Sequence, residues 1–240
     1  MPAFNSPSLA HTHYVPSIAF IPTRFYLHNA ASGLSGTLPT TEQSTVRNSD
    51  FDLGPQTVNK DMSTTIGTSQ ASIANIPTNA VNSQYALYVS RWLSTPLNQT
   101  SVGAAVWTLN FAGKSSDISK TSSPTLPSTS TIPITCYVWR PSTGARIGYI
   151  KDGGTIDDFA RYSAARTEKS EHGTFNGNAV SCAVGDVIVL ELFIYYKVDE
   201  CGVNNWQTIY FDGTTVTQGD NTTVTSHAAY LETPEVLNLQ

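Results

Sequence analysis

Hydrophobic residues gather in short runs separated by turn residues, and the longest run is apolar in both of its alternating registers. Val187-Ile-Val-Leu-Glu-Leu-Phe-Ile-Tyr-Tyr196 follows a Gly185-Asp186 turn. With a side-chain period of two, Val187, Val189, Phe193 and Tyr195 share one face, and Ile188, Leu190 and Leu192 share the other. A strand with two apolar faces belongs at the centre of a sheet, covered on both sides, or at a subunit interface. Further runs rich in β-branched and aromatic residues predict strands at Ala86–Leu93, Gly103–Phe111, Ile132–Arg140, Arg146–Ile150, Ala179 or Asp186–Val198, Trp206–Phe211 and His227–Leu231. Many short strands with turn signals between them predict an all-β protein, an antiparallel β-sandwich of jelly-roll type with little helix.

The first part of the chain reads differently. Pro2, Pro7, Pro16, Pro22, Pro39 and Pro55 punctuate short apolar pieces that carry Phe4, Tyr14, Phe20, Phe25 and Tyr26. Proline removes a ladder donor and favours edge or irregular positions. Residues 1–62 are therefore expected to form an extended arm or edge segment lying on a neighbouring subunit, and residues 63–240 the sandwich body. Ser115–Ser130 and Asp152–Asn178 read as loops, the latter with one short helix over Ile156–Glu168. No repeat is visible.

Composition sharpens this picture. Charged residues are only 13% of the 240 and the net charge is −5, about half the usual charged share. Hydroxyls and amides then cover the surface, which suits proteins packed into assemblies and lectin-like proteins equally. The scattered basic residues, including Lys114, Lys120, Lys151 and Lys169, form no patch of the kind nucleic acid requires. No apolar run is long enough to span a bilayer. The start, Met1-Pro-Ala-Phe-Asn-Ser-Pro, lacks a basic leader and an apolar core, so synthesis in a cytoplasm is expected. Three cysteines without metal spacing agree. Cys136 and Cys182 read as small core residues, and a Cys182–Cys201 bridge would require their strands to pair.

A search for chemistry finds no specific motif: no Gly-x-Ser-x-Gly, no His-Glu-x-x-His and no phosphate loop. His11 and His13 fall on one face of an extended segment without a third ligand nearby. Asp152, Asp157 and Asp158 lie in a Gly-containing loop but lack the spacing of a calcium loop. Asp212-Gly213 is a turn pair that needs no catalytic role. Glu191 sits within the apolar run, where alternation turns it outward, and it has no acidic partner of the kind a glycosidase needs. Trp92, Trp107, Trp139 and Trp206 each lie in a strand-like run. Three of the four are expected in the core, and an exposed one would offer a stacking platform for a sugar. Asn98 and Asn221 match the glycosylation acceptor pattern. No catalytic, cofactor-binding or metal-binding residue is assigned.

Several segments resemble structural proteins of tailed bacteriophages, notably cyanobacterial ones. They are Tyr26-Leu-His-Asn-Ala, Gly36-Thr-Leu-Pro-Thr-Thr-Glu42, Met62-Ser-Thr-Thr-Ile-Gly-Thr68, Val138-Trp-Arg-Pro-Ser-Thr-Gly144, Tyr210-Phe-Asp-Gly-Thr-Thr215 and Leu231-Glu-Thr-Pro-Glu235. The resemblance implies a non-enzymatic virion component, made in the host cytoplasm, that cements or decorates the particle. Its partners would be copies of itself and other virion proteins, either major capsid or tail proteins, with neither nucleic acid nor membrane. The alternative is a lectin-like module that binds host glycans during adsorption.

Overall fold

A computed structural model describes residues 21–39, 59–69, 71–77, 84–115, 130–131, 134–152, 169–197, 206–213, 215–217, 223–225 and 228–240. In chain order the strands are β1 (Thr23–Ala31), β2 (Lys60–Ser63), β3 (Ala71–Pro77), β4 (Gln84–Ser94), β5 (Ser101–Val102), β6 (Ala105–Ser115), β7 (Ser130–Thr131) and β8 (Ile134–Arg140). They continue with β9 (Ala145–Lys151), β10 (Lys169–Gly177), β11 (Val180–Ser181), β12 (Val187–Lys197), β13 (Trp206–Phe211), β14 (Thr215–Thr217), β15 (Thr223–Thr225) and β16 (Tyr230–Thr233). The described residues contain no helix.

The all-β expectation holds. Where the sequence suggests two packed layers of jelly-roll type, twelve of the sixteen described strands instead join in one sheet, and β5 with β11 and β14 with β15 form two small ones. Around the wall of the large sheet the order runs β10, β6, β16, β1, β2, β4, β12, β8, β9. The sheet curls until β9 meets β10, where Asn178 N–H donates to Ile150 O at 2.8 Å. It is thus nearly closed into a barrel. All pairings in the sheet are antiparallel except β2 with β4.

The interior is filled with large apolar side chains. Trp92, Trp107, Phe25, Leu27, Met62, Ile188, Leu190, Leu192, Phe211 and Leu231 all belong to one buried cluster. Trp107 stacks on Phe175 with the planes 15° apart, and Trp92 meets Phe211 edge-on with centroids 5.4 Å apart. As expected, β12 is central, between β4 and β8. Its Ile188, Leu190 and Leu192 point into the barrel, while Val187 and Val189 join Leu93, Tyr137 and Trp139 in a separate cluster on the outer face. The Gly185-Asp186 turn launches this strand as read from the sequence. Gly185 takes φ +93°, and the Asp186 carboxylate accepts from Ala183 N–H and, through both oxygens, from Arg140.

The described part of the expected arm belongs to this barrel. β1 is paired on both edges, with β16 and β2. The boundary expected at residue 62 falls inside β2. Pro22 precedes β1 and Pro39 follows the next segment, so neither proline interrupts the ladder. Residues 1–20 and 40–58 lie outside the described residues. Between β1 and Pro39 the chain straps across the outside of the sheet, and Leu34 and Leu38 pack on the outer cluster. This strap covers the second apolar face of β12.

Gly36 lets the strap lie close to the sheet. It adopts φ +135°, and a Cβ there would come within 2.8 Å of the Trp139 ring. Gly36→Ala is expected to lower stability by about 1–3 kcal/mol through backbone strain and this clash. Urea unfolding of the two proteins measures the difference.

One expected loop is partly strand. Lys169–Gly177, placed in a loop by the sequence reading, pairs along the length of β6. Its Gly, Asn, Glu and Lys content hides it from a pattern search, and register with a strong neighbour overrides weak local propensity. The helix expected over Ile156–Glu168 and most of the Ser115–Ser130 loop lie outside the described residues.

Candidate functional site

The outer face of β1 carries a row of polar and aromatic side chains. Phe25 and Leu27 point inward, so Arg24, Tyr26 and His28 point outward. Tyr26 sits opposite Tyr230 of β16 on one side and opposite Ser63 of β2 on the other. The two tyrosine rings meet edge-on with centroids 6.3 Å apart. The Arg24 guanidinium lies over the Tyr230 ring at 4.0 Å, and its Nε donates to Glu232 Oε2 at 2.7 Å.

Immediately after Leu27 the ladder between β1 and β2 is irregular: Leu27 pairs with Met62, but the next partner of β2, Lys60, faces Ala31. Bulges of this kind re-aim side chains. Here His28 Nε2 lies 3.0 Å from Ser63 Oγ, and Nδ1 lies 3.3 Å from Asp212 Oδ1. The Asp212 carboxylate also accepts from Asn29 N–H and Gly213 N–H, both at 3.0 Å. A carboxylate facing Nδ1 favours the tautomer with the proton on that nitrogen, which leaves Nε2 free to accept from the Ser63 hydroxyl.

The acid is held firmly. Asp212 sits at φ +61°, a conformation that costs energy in a non-glycine residue. Its N–H donates to Leu27 O at 2.9 Å. A Cβ at position 67 would overlap Asp212 Oδ1, so Gly67 allows the β2–β3 connection to lie against the carboxylate. From below, Trp92 Nε1 donates to His28 O at 3.0 Å. The side chains of His28 and Asp212 are 13% and 16% exposed, so both reach solvent while largely desolvated.

Two further charges border this group. Lys60 Nζ donates to Asn29 Oδ1 at 2.8 Å and lies over the Phe211 ring. Burial lowers its pKa, partly offset by the charge of Asp212. Burial also raises the pKa of Asp61, with His28 acting in the opposite sense.

A second polar cluster is sealed under the strap. Glu191 is fully buried on the outer face of β12 and accepts from Arg91 Nε at 2.8 Å and from Tyr137 O–H at 3.2 Å. Arg91 Nη2 also donates to Pro39 O at 3.2 Å. Alternation does turn Glu191 outward, but it is fully buried there, and the strap reaches the cluster through Arg91. Buried charges paired in this way act as a structural anchor.

The other residues weighed from the sequence fall as follows. Trp92, Trp107 and Trp139 are fully buried, so none can stack on a sugar, and the side chain of Trp206 lies outside the described residues. Cys136 is buried and Cys182 half-buried, both as thiols. Cys201, and with it the Cys182–Cys201 pairing, lies outside the described residues. So do His11, His13, Asp157, Asp158 and Asn221. Asp152 is exposed at the end of β9, and Asn98 is exposed between β4 and β5. Among the described residues no His, Cys, Asp or Glu cluster of three or more is arranged for a metal. No described helix is long and apolar enough to cross a membrane. His28 and Ser63 were not singled out by sequence, and Asp212 was read as a turn residue alone.

No protein-family model matches the chain, and no curated protein matches it.

Proposed function

We propose that this chain is a structural component of a tailed-phage particle, acting through contacts with copies of itself and with capsid or tail proteins. In that role the barrel supplies the rigid body expected of a jelly-roll sandwich. The observation that carries the reading is the end of the barrel formed by residues 95–103, 182–186 and 235–240. Backbone bonds lock these segments together: Leu97 with Asp186 and Gly185, Asn98 with Asn238, Cys182 with Thr100, and Gln240 with Pro96. The Glu235 carboxylate accepts from Gly103 N–H at 2.7 Å. On this fixed frame Val184 is 56% exposed and Val236 49% exposed. An apolar surface on a preorganised backbone loses little entropy on association.

A contact of about 800 Å² per partner is enough for a specific joint, and symmetry multiplies it. Few charges are available, so assembly depends weakly on salt. The expected result is a concentration-dependent oligomer by sedimentation that Val184→Asp with Val236→Asp shifts toward monomer by at least about tenfold in Kd. Particles lacking the chain should lose thermal stability or remain incomplete. A monomer at all concentrations, with particles equally stable but unable to adsorb to host glycans, would establish the lectin-like alternative.

A further inference from the structure

We propose that Ser63, His28 and Asp212 form an acyl-transfer site that hydrolyses O-acyl esters carried on a sugar ring. This activity is independent of the assembly role and lies elsewhere on the barrel.

The geometry is that of an activated nucleophile. A serine hydroxyl lies 3.0 Å from one imidazole nitrogen, and a carboxylate lies 3.3 Å from the other. Such a group is recognised by distances and roles, not by order along the chain. Two features go beyond what a hydrogen-bonded staple needs. The ladder irregularity after Leu27 accompanies a ring that reaches both partners at once. Asp212 holds a strained backbone and its carboxylate accepts from two backbone N–H groups as well as facing His28. Ser63 Oγ also accepts from Thr65 N–H at 3.4 Å and lies 3.5 Å from Thr65 O, a local turn that fixes its position and from which the hydroxyl must turn to meet His28.

The substrate class follows from the neighbours of Ser63. Tyr26 stands directly across the ladder from it, and Tyr230 directly across from Tyr26, so the three side chains form a row on one face, with neighbours about 5 Å apart. Both tyrosines are half-buried. Because the Arg24 guanidinium covers one face of the Tyr230 ring, Tyr26 is the aromatic surface beside the nucleophile that suits the C–H face of a pyranose, and the Arg24–Glu232 pair borders it with groups that bond hydroxyls. A ring seated there presents an ester on its rim to Ser63.

The chemistry balances with water as the second reactant. Ser63 Oγ attacks the ester carbonyl carbon as its proton passes to His28 Nε2. Asp212 accepts from Nδ1–H and stabilises the imidazolium. The bond between the acyl carbon and the sugar oxygen breaks, and that oxygen takes the proton from Nε2. Water then attacks acyl-Ser63, passing a proton to Nε2. Breaking the acyl–Oγ bond returns this proton to Ser63 and releases a carboxylic acid. The sum is ester plus water giving alcohol plus acid.

The test uses the full chain with a fluorophosphonate probe, 4-nitrophenyl acetate and a peracetylated hexose. The probe should add to Ser63, as located by peptide mass mapping, and acetate should be released from both esters. Ser63→Ala and His28→Gln should each lower the rate by about 10²–10⁴-fold while melting within a few degrees of the parent. Tyr26→Ala should raise KM for the sugar ester about tenfold, more than it lowers kcat. Labelling at another residue, or equal rates for the parent and Ser63→Ala, would overturn the site. Cleavage of 4-nitrophenyl acetate alone would overturn the sugar-ester assignment.

Discussion

Glu191→Leu is expected to destabilise the protein by about 3–5 kcal/mol, because it leaves a buried guanidinium without its counter-ion. Glu191 is fully buried, and Arg91 beside it is nearly so. The pair gains little over an apolar replacement, since the attraction between the charges is offset by the water both have lost. Arg91→Met combined with Glu191→Leu should therefore recover most of the loss, and a double-mutant cycle by urea unfolding reads the coupling directly. The half-buried pair Arg24–Glu232 on the outer face of the barrel gives the contrast. Glu232→Ala there should cost less than about 1 kcal/mol. Burial raises the Glu191 pKa, with Arg91 and Tyr137 only partly opposing it. An acid whose folded pKa lies above its unfolded one is bound to its proton more tightly in the folded state. Its contribution is complete below the ordinary glutamate range and declines as pH rises through the folded value. The Glu191→Leu protein should lack that decline.

The barrel and the site were unequally legible in the sequence. β13 could be read to the residue, and β12 within one residue at its end and, of the two starts left open, at Asp186, because long runs of Val, Ile, Leu and Tyr carry the period-two signal strongly. The two-sided covering of β12 was also legible, since both of its registers are apolar. What covers the outer side was not: the strap at residues 32–39 contributes only Leu34 and Leu38 to the outer cluster, separated by Gly and Ser. β10 carried too little apolar content to register. The curling of the strands into one sheet depends on pairings such as β1 with β16 and β2 with β4, which join distant parts of the chain. No local pattern encodes them. The candidate site follows the same logic. His28 and Ser63 are 35 residues apart, and His28 and Asp212 are 184 apart. Each is ordinary in its own neighbourhood, and only the ladder and the Asp212 turn bring them together. Alternation along β1 puts Tyr26 and His28 on one face, but Thr23–Ala31 lies in the stretch expected to be an arm, so this half of the surface row was not read from the sequence.

Trp92→Ala is expected to cost about 3–5 kcal/mol and to disturb the candidate site as well as the core. The indole fills the barrel beneath β1, edge-on to Phe211, and no neighbouring side chain can fill the space left behind without strain. Its Nε1–H also holds the carbonyl of His28, the residue that the irregular ladder turns toward Ser63. Phe211 immediately precedes Asp212, so the same ring steadies both the base and the acid of the Ser63 group. Trp92→Phe separates the two effects. It retains most of the apolar volume and loses the hydrogen bond, at a cost of about 1–3 kcal/mol. If the indole positions His28, this milder variant should lower the rate of Ser63 labelling by the fluorophosphonate about tenfold while the protein remains folded by near-ultraviolet circular dichroism. An unchanged labelling rate in Trp92→Phe would show that the β1 ladder alone positions His28 and that the core tryptophan contributes only packing.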